Sequence, residues 1–176
     1  MVSGIMRKLC TLLHPLALIL TGTLACSLAA AKEPELAPAW PTLPSILHLP
    51  SEYGTLHIAI NDYVHESALQ IDNQPITPEV RGLLNITYAF KMPDAQAALV
   101  SINSGNDTCP LSYRWVLLRS NGHLVSPAFG SCSEKIRVST EGKTLKIETP
   151  NQADQAKIDV YSYSGGTTVS RTTIVP

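Results

Sequence analysis

The chain has 176 residues, with 13 Lys and Arg against 14 Asp and Glu, and its basic side chains are scattered. Nucleic-acid binding rests on Lys and Arg massed against phosphate, so this composition argues against that class of partner. The length supports one ordinary domain with a core of its own.

Met6-Arg7-Lys8 leads into an apolar run, Leu9 to Leu24, interrupted by His14 and Pro15, and Ala29-Ala30-Ala31 precedes Lys32. Positive charge, apolar run and small-x-small site are the layout of a secretory signal peptide over residues 1–31. The run is too short and too interrupted to span a bilayer. Thr23-Leu24-Ala25-Cys26 resembles the bacterial lipoprotein box over four residues, with Thr where Leu is usual. That resemblance implies a lipidated Cys26 and an outer-membrane anchor in place of simple cleavage. Loss of residues 1–31 removes Arg7 and Lys8 and no acid, leaving 145 residues with 11 basic against 14 acidic side chains, a net charge of −3. Both routes leave Cys109 and Cys132 as the available pair, which fits an oxidising compartment and a periplasmic or secreted protein.

Residues 32–50 form a proline-rich arm or linker: Pro34, Pro38, Pro41, Pro44 and Pro50 favour extended chain over helix or sheet. Trp40, Leu43, Ile46, Leu47 and Leu49 are apolar enough for its later part to lie against the domain rather than act as a spacer.

From residue 51 to 176 the patterning is that of a single β-domain. Leu56, Ile58 and Ile60 alternate with polar or small residues in the first clear strand. Thr77 as N-cap, Pro78 at the first helical position and Glu79 in the first turn predict one short helix near 78–84. Asn85 to Lys91 alternates with Ile86, Tyr88 and Phe90 on one face, Ala97 to Asn103 is another strand, and Ser104-Gly105-Asn106-Asp107 is a loop.

Cys109 to Cys132 then reads as a hairpin closed by a disulfide. Tyr113, Trp115 and Leu117 alternate with Arg114, Val116 and Leu118, and Asn121-Gly122 supplies the turn. His123 to Ser126 returns until Pro127, which lacks an N–H for the ladder. Closing such a loop contributes about 3 kcal/mol in the chain-entropy account. Further strands follow at Lys135 to Ser139, Lys143 to Thr149, Ile158 to Ser164 and Thr167 to Val175, the last two flanking Gly165-Gly166. Short strands separated by turns predict an antiparallel β-sandwich of about eight strands in meander order, with a small closed barrel as second choice.

No motif names a reaction. His65-Glu66 lacks the second histidine of a zincin helix, because Leu69 stands there. His48, His57, His65 and His123 have no ligand spacing, so only the fold could assemble a metal site, and no metal or other cofactor is expected. The chain has no G-x-S-x-G elbow, Ser131 reads as turn chemistry, and the two cysteines are too far apart for a C-x-x-C redox pair. A non-enzymatic binding module is the expectation, because a rigid sheet commonly presents recognition loops. The candidate binding residues are Ser104, Gly105, Asn106, Asp107, Asn121 and His123. Ser104-Gly105 and Tyr163-Ser164-Gly165 resemble the Ser-Gly loop of bacterial lysozyme inhibitors over two or three residues. The resemblance implies an inhibitor or immunity protein whose partner is an exported hydrolase or toxin. A structural envelope subunit pairing through its terminal strand, and a small-ligand carrier, are the alternatives.

Overall fold

A computed structural model describes residues 40–63 and 65–176. The leader, Cys26 and residues 32–39 of the arm lie outside the described residues. Among the described residues every regular element is a β-strand, and the strands form two antiparallel sheets.

The larger sheet contains β1 (His48–Ser51), β2 (Gly54–Asn61), β3 (Glu66–Ile71), β4 (Gln74–Pro75), β5 (Arg81–Lys91), β6 (Gln96–Asn103), β7 (Leu111–Arg119) and β8 (Gly122–Val125). Its order is β1-β2-β3-β5-β6-β7-β8, with the two-residue β4 on β3, so neighbours in sequence are neighbours in space. The smaller sheet, in order β12-β11-β10-β9, contains β9 (Arg137–Glu141), β10 (Thr144–Pro150), β11 (Ile158–Tyr163) and β12 (Ser170–Ile174). The expected meander sandwich is present, and the sheet is not closed into a barrel.

Two cores divide the interior. Leu56, Ile58 and Leu69 of β2 and β3 share the first with Leu84, Ile86, Ala98, Val100, Val116 and Leu118 of β5 to β7. Only Ser67–Gly82 and Ala68–Arg81 join β3 to β5, so the large sheet bends there and lays its first strands over its later ones. The opposite face of β5 to β7 meets the small sheet, where Leu99, Tyr113, Trp115 and Leu117 pack with Ile136, Leu145, Ile147, Tyr161 and Tyr163. The strands β5 to β7 are thus a middle layer covered on both sides, and Trp115 to Leu118 are buried in succession. Ala97 and Ala98 keep that layer thin enough for apolar side chains to meet it from each side.

A bulge corrects the expected facing of β5. Ile86 pairs with Val100 but Tyr88 pairs with Leu99, so Thr87 is the extra residue, and its Oγ1 donates to the Leu99 carbonyl at 3.1 Å. One inserted residue reverses the facing of everything after it. Ile86 accordingly enters the first core, while Tyr88 and Phe90 turn to the second.

The short helix near 78–84 does not form. Ile76 N–H donates to the Leu69 carbonyl at 3.3 Å and Leu69 N–H to the Val80 carbonyl at 3.0 Å, which lays this segment along β3. Ile76 and Val80 are both buried in the first core, and β5 begins at Arg81. Tertiary pairing and apolar burial outweigh local capping signals that could have supported only a single turn.

The arm joins the domain before residue 51. Ile46 and Ile86 exchange both backbone hydrogen bonds at 3.0 Å, Leu47 accepts from Ile58 N–H at 2.9 Å, and Ser45 Oγ donates to Asn85 Oδ1 at 2.6 Å. The next four residues are β1, paired along its length with β2.

Candidate functional site

The Cys109–Cys132 disulfide closes one end of the sandwich, with the two Cα atoms 4.8 Å apart across a sequence separation of 23. The far end of the hairpin turns one residue earlier than expected. Arg119 pairs with Gly122, so Ser120-Asn121 is the turn, and Gly122 alone there takes a positive φ, of 123°. Asn121 supplies a turn position without the left-handed geometry that an Asn-Gly turn would require.

Between turn and disulfide the ladder is interrupted and resumed. Trp115 N–H donates to Ser126 Oγ at 2.9 Å rather than to a ladder carbonyl, while the Ser126 carbonyl accepts from Arg114 Nη1 at 2.8 Å. Pairing returns where Tyr113 and Phe129 exchange bonds at 2.8 and 3.0 Å. At Gly130, with φ of 130°, a Cβ would stand 3.0 Å from Tyr113 Cδ2. The chain therefore crosses the Tyr113 ring there only because it carries no side chain. The Tyr113 hydroxyl donates to the Ser133 carbonyl at 2.8 Å. Burial, assisted by the Glu134 carboxylate and by Tyr88, raises that phenol far above its ordinary value, so it remains a donor. Ser131, also buried, lies 2.7 Å from Thr149 Oγ1 and donates to the Pro150 carbonyl at 2.7 Å. The segment bearing Cys132 is thus tied to both sheets. Gly130→Ala is expected to lower stability by about 1–3 kcal/mol, from a disfavoured φ together with the ring contact. Urea denaturation measures the loss, and an unchanged midpoint would contradict this account of the crossing.

The loop between β6 and β7 starts from the same clamp. Asn103 Oδ1 accepts from Gly105 N–H at 2.9 Å, Asn106 Oδ1 from Thr108 N–H at 2.8 Å, and Ser104 Oγ from Asn106 N–H at 3.4 Å. Ser104 N–H donates to the Pro110 carbonyl at 2.9 Å, which closes the loop at its base. Side chains that bond their own backbone in this way hold a turn without help from a core. Ser104, Gly105, Asn106 and Asp107 remain exposed.

Beside this loop lies an open cavity of about 470 Å³. Trp40, Leu43, Leu83 and Leu111 supply apolar wall, Asn85, Thr87, Ser101 and Asn103 supply amides and hydroxyls, and Glu134 and Lys135 stand among the lining residues with opposite charges. Trp40 is held from outside by the Arg137 guanidinium, 4.6 Å from its ring centre, in cation–π geometry. A second groove of about 330 Å³ shares Leu83 and Asn85 with the first and adds Leu47, Ile58, Ile60 and His65. Ile60 and Leu83 are exposed there, so apolar surface continues from the first cavity into the second groove.

No family model matches the chain, and neither a curated protein nor a solved structure matches it. Geometry and residue chemistry therefore carry the functional argument. Four of the six candidate residues, Ser104 to Asp107, meet at the clamped end. Asn121 and His123 do not join them, because the nine residues of β7 intervene, roughly 30 Å of strand. His123 is engaged in structure: its Nε2 lies 3.0 Å from the Thr77 carbonyl oxygen and 3.2 Å from the Thr77 amide nitrogen. Tyr163 is buried in the second core, and Ser164 Oγ lies 3.0 Å from Thr144 Oγ1, so the second Ser-Gly resemblance also falls away from the clamp. Trp40 and the Glu134-Lys135 pair line the cavity without being among the expected binding residues. Trp40 gave a signal, as an aromatic in a proline-rich arm too apolar for a spacer. Glu134 and Lys135 gave none, because they come beside Leu111 and Asn103 only in the fold, on the segment that the disulfide and the Tyr113–Ser133 hydrogen bond hold in place. Among the described residues, no three His, Cys, Asp or Glu side chains group closely enough to hold a metal ion.

Proposed function

We propose that this chain is an exported binding module without catalytic activity, and that it docks a partner protein with the disulfide-clamped end. The observation that carries the reading is the self-capped Ser104–Thr108 loop, exposed beside the 470 Å³ cavity and tethered to the disulfide at its base. A loop already held in one conformation loses little entropy on docking, and a mixed apolar and polar cavity next to it can take a side chain or short segment of the partner. The most specific form of the proposal is an inhibitor or immunity protein acting on an exported, cell-wall-directed hydrolase or toxin, with the loop entering the partner's cleft. Its location would be the periplasm or the cell exterior.

Capture of partners from the cell envelope and from neighbouring bacteria, followed by mass spectrometry, identifies the partner. Asn106→Trp should then weaken capture by at least about tenfold, or about 1.4 kcal/mol, with the thermal midpoint unchanged. Undiminished capture by a folded Asn106→Trp protein would remove the loop from the interface.

One observation favours a second reading, an envelope subunit that assembles by strand pairing. β12 lies at the edge of the small sheet, and all five of its residues are exposed. Such an edge can accept another strand. That reading requires oligomers whose size grows with concentration and shrinks when Thr172 to Pro176 are deleted. The docking reading requires neither.

A further inference from the structure

The fold assembles a pair of metal-ligand side chains that the sequence keeps apart. In the antiparallel β1–β2 ladder His48 stands directly opposite His57, and the adjacent pair is Leu49–Leu56. Leu56 is buried in the first core with Leu49 packed on it. Strand alternation therefore puts both histidines on the outer face of the sheet. Their imidazoles stack there, with ring centres 5.7 Å apart and planes 12° from parallel.

We propose that His48 and His57 form a two-imidazole site for a late first-row divalent ion, namely Zn²⁺, Ni²⁺ or Cu²⁺. Neutral imidazole is a ligand of choice for these ions and a poor one for Mg²⁺ or Ca²⁺. Metal–nitrogen bonds of about 2.0–2.1 Å need the two donor nitrogens about 3–4 Å apart. Directly opposed residues of an antiparallel pair have Cα atoms only about 4.5–5.5 Å apart, so side-chain rotation at the exposed His48 can bring the donors together without moving the backbone. Among the described residues no third His, Cys, Asp or Glu joins the pair. Water completes the coordination shell, and the ion is exchangeable rather than permanently held.

The site has a mechanical consequence. β1 pairs with β2, and the residues just before it, Ile46 and Leu47, are the ones that fix the arm to β5 and β2. An ion bridging His48 and His57 links the short outer strand to its neighbour and secures the arm that walls the 470 Å³ cavity. This inference does not depend on what that cavity binds.

Titration calorimetry of the full chain with Zn²⁺ and with Ni²⁺ tests the proposal. Wild type should bind one ion per chain at this site, and saturating ion should raise the thermal midpoint. His48→Gln and His57→Gln should each weaken that binding by at least about tenfold, the scale on which even outer-shell changes act at metal sites. His65→Gln and His123→Gln should leave it unchanged. Cu²⁺-loaded protein should show two imidazole nitrogens by electron paramagnetic resonance in wild type, and fewer in either single variant. Both test positions lie on the outer face, and far-ultraviolet circular dichroism confirms that each variant folds. Absence of saturable binding in wild type overturns the proposal. So does a loss smaller than tenfold in either folded variant, or an equal loss in the His65 or His123 variant.

Discussion

Replacing Cys109 and Cys132 together with serine will lower the unfolding free energy by about 3 kcal/mol, the chain-entropy value for a loop of this length. The sequence separation is 23, and the closed loop contains β7, whose Trp115 is buried in the second core and whose Val116 is buried in the first. Without the bond, ordering this central strand must restrict a freer unfolded chain. The loss should also be uneven. The end that holds Gly130, Ser131 and Ser133 should exchange its amide hydrogens faster, while the Val116–Val125 end of the ladder should change less. Cys132 adds a second, separable effect, since its φ of 61° lies in the left-handed region that a serine also disfavours. Pairing Cys109→Ser with Cys132→Gly should therefore recover about 1 kcal/mol relative to the double serine variant. Denaturation in urea with and without reductant measures both quantities. Equal stability of wild type and double serine variant would show that hydrogen bonds and packing hold this end unaided. Equal partner capture by the two would remove the rigid-loop argument from the proposed function.

Period-two alternation marked several of the strands, though not β1, β3 or β4, because a half-buried strand writes its inner face into the sequence. Leu56 and Ile58 of β2, and Leu145 and Ile147 of β10, were legible for that reason. In the middle layer the same rule loses its meaning. Val116 and Leu118 are as buried as Trp115 and Leu117, so no outward face remains to contrast with an inward one. The bulge at Thr87 has no local signature either; it follows from the pairing with β6. Capping signals at Thr77 and Pro78 were real preferences overruled by the Leu69–Val80 hydrogen bond and by burial of Ile76. The candidate site was half legible. Polar turn residues marked Ser104 to Asp107, but nothing local separates that loop from the Ser120-Asn121 turn at the opposite end of β7. Which turns share an end is a property of strand length and sheet order. The His48–His57 pair makes the same point, since it exists only through the β1–β2 register.

Asp159→Ala will destabilise the protein by about 2–3 kcal/mol, the scale of a buried charged group losing its hydrogen bonds. The Asp159 side chain has no exposed surface, and its carboxylate accepts from Asn151 Nδ2 at 2.9 Å, Thr173 Oγ1 at 2.7 Å and Arg171 Nη2 at 2.8 Å. Two of these donors come from β12, the edge strand whose residues are otherwise exposed, so this carboxylate and the β11 ladder hold that strand in place. Arg171→Ala should cost less, under about 1 kcal/mol, because half of its side chain faces water and screening weakens its share. Asp159 keeps Asn151 and Thr173 in that variant. Amide exchange should quicken through β11 and β12 in the Asp159 variant, while the β9–β10 ladder stays protected. Acid will act on the same group. Burial pushes the Asp159 carboxyl up, but the hydrogen bonds from Thr173, Asn151 and Arg171, with the Arg171 charge, more than reverse this and hold it below its ordinary 3.8. Around and below that value the unfolded chain binds the proton more readily than the folded one, so stability falls as the solution is acidified. The contribution of this group is whole above pH 3.8 and disappears as the pH drops through the lower folded value. Asp159→Asn should therefore be less stable than wild type at neutral pH and lose less on acidification, so that the two curves converge in acid. Parallel curves down to the acid limit would show that the β12 clamp does not depend on the charge of Asp159.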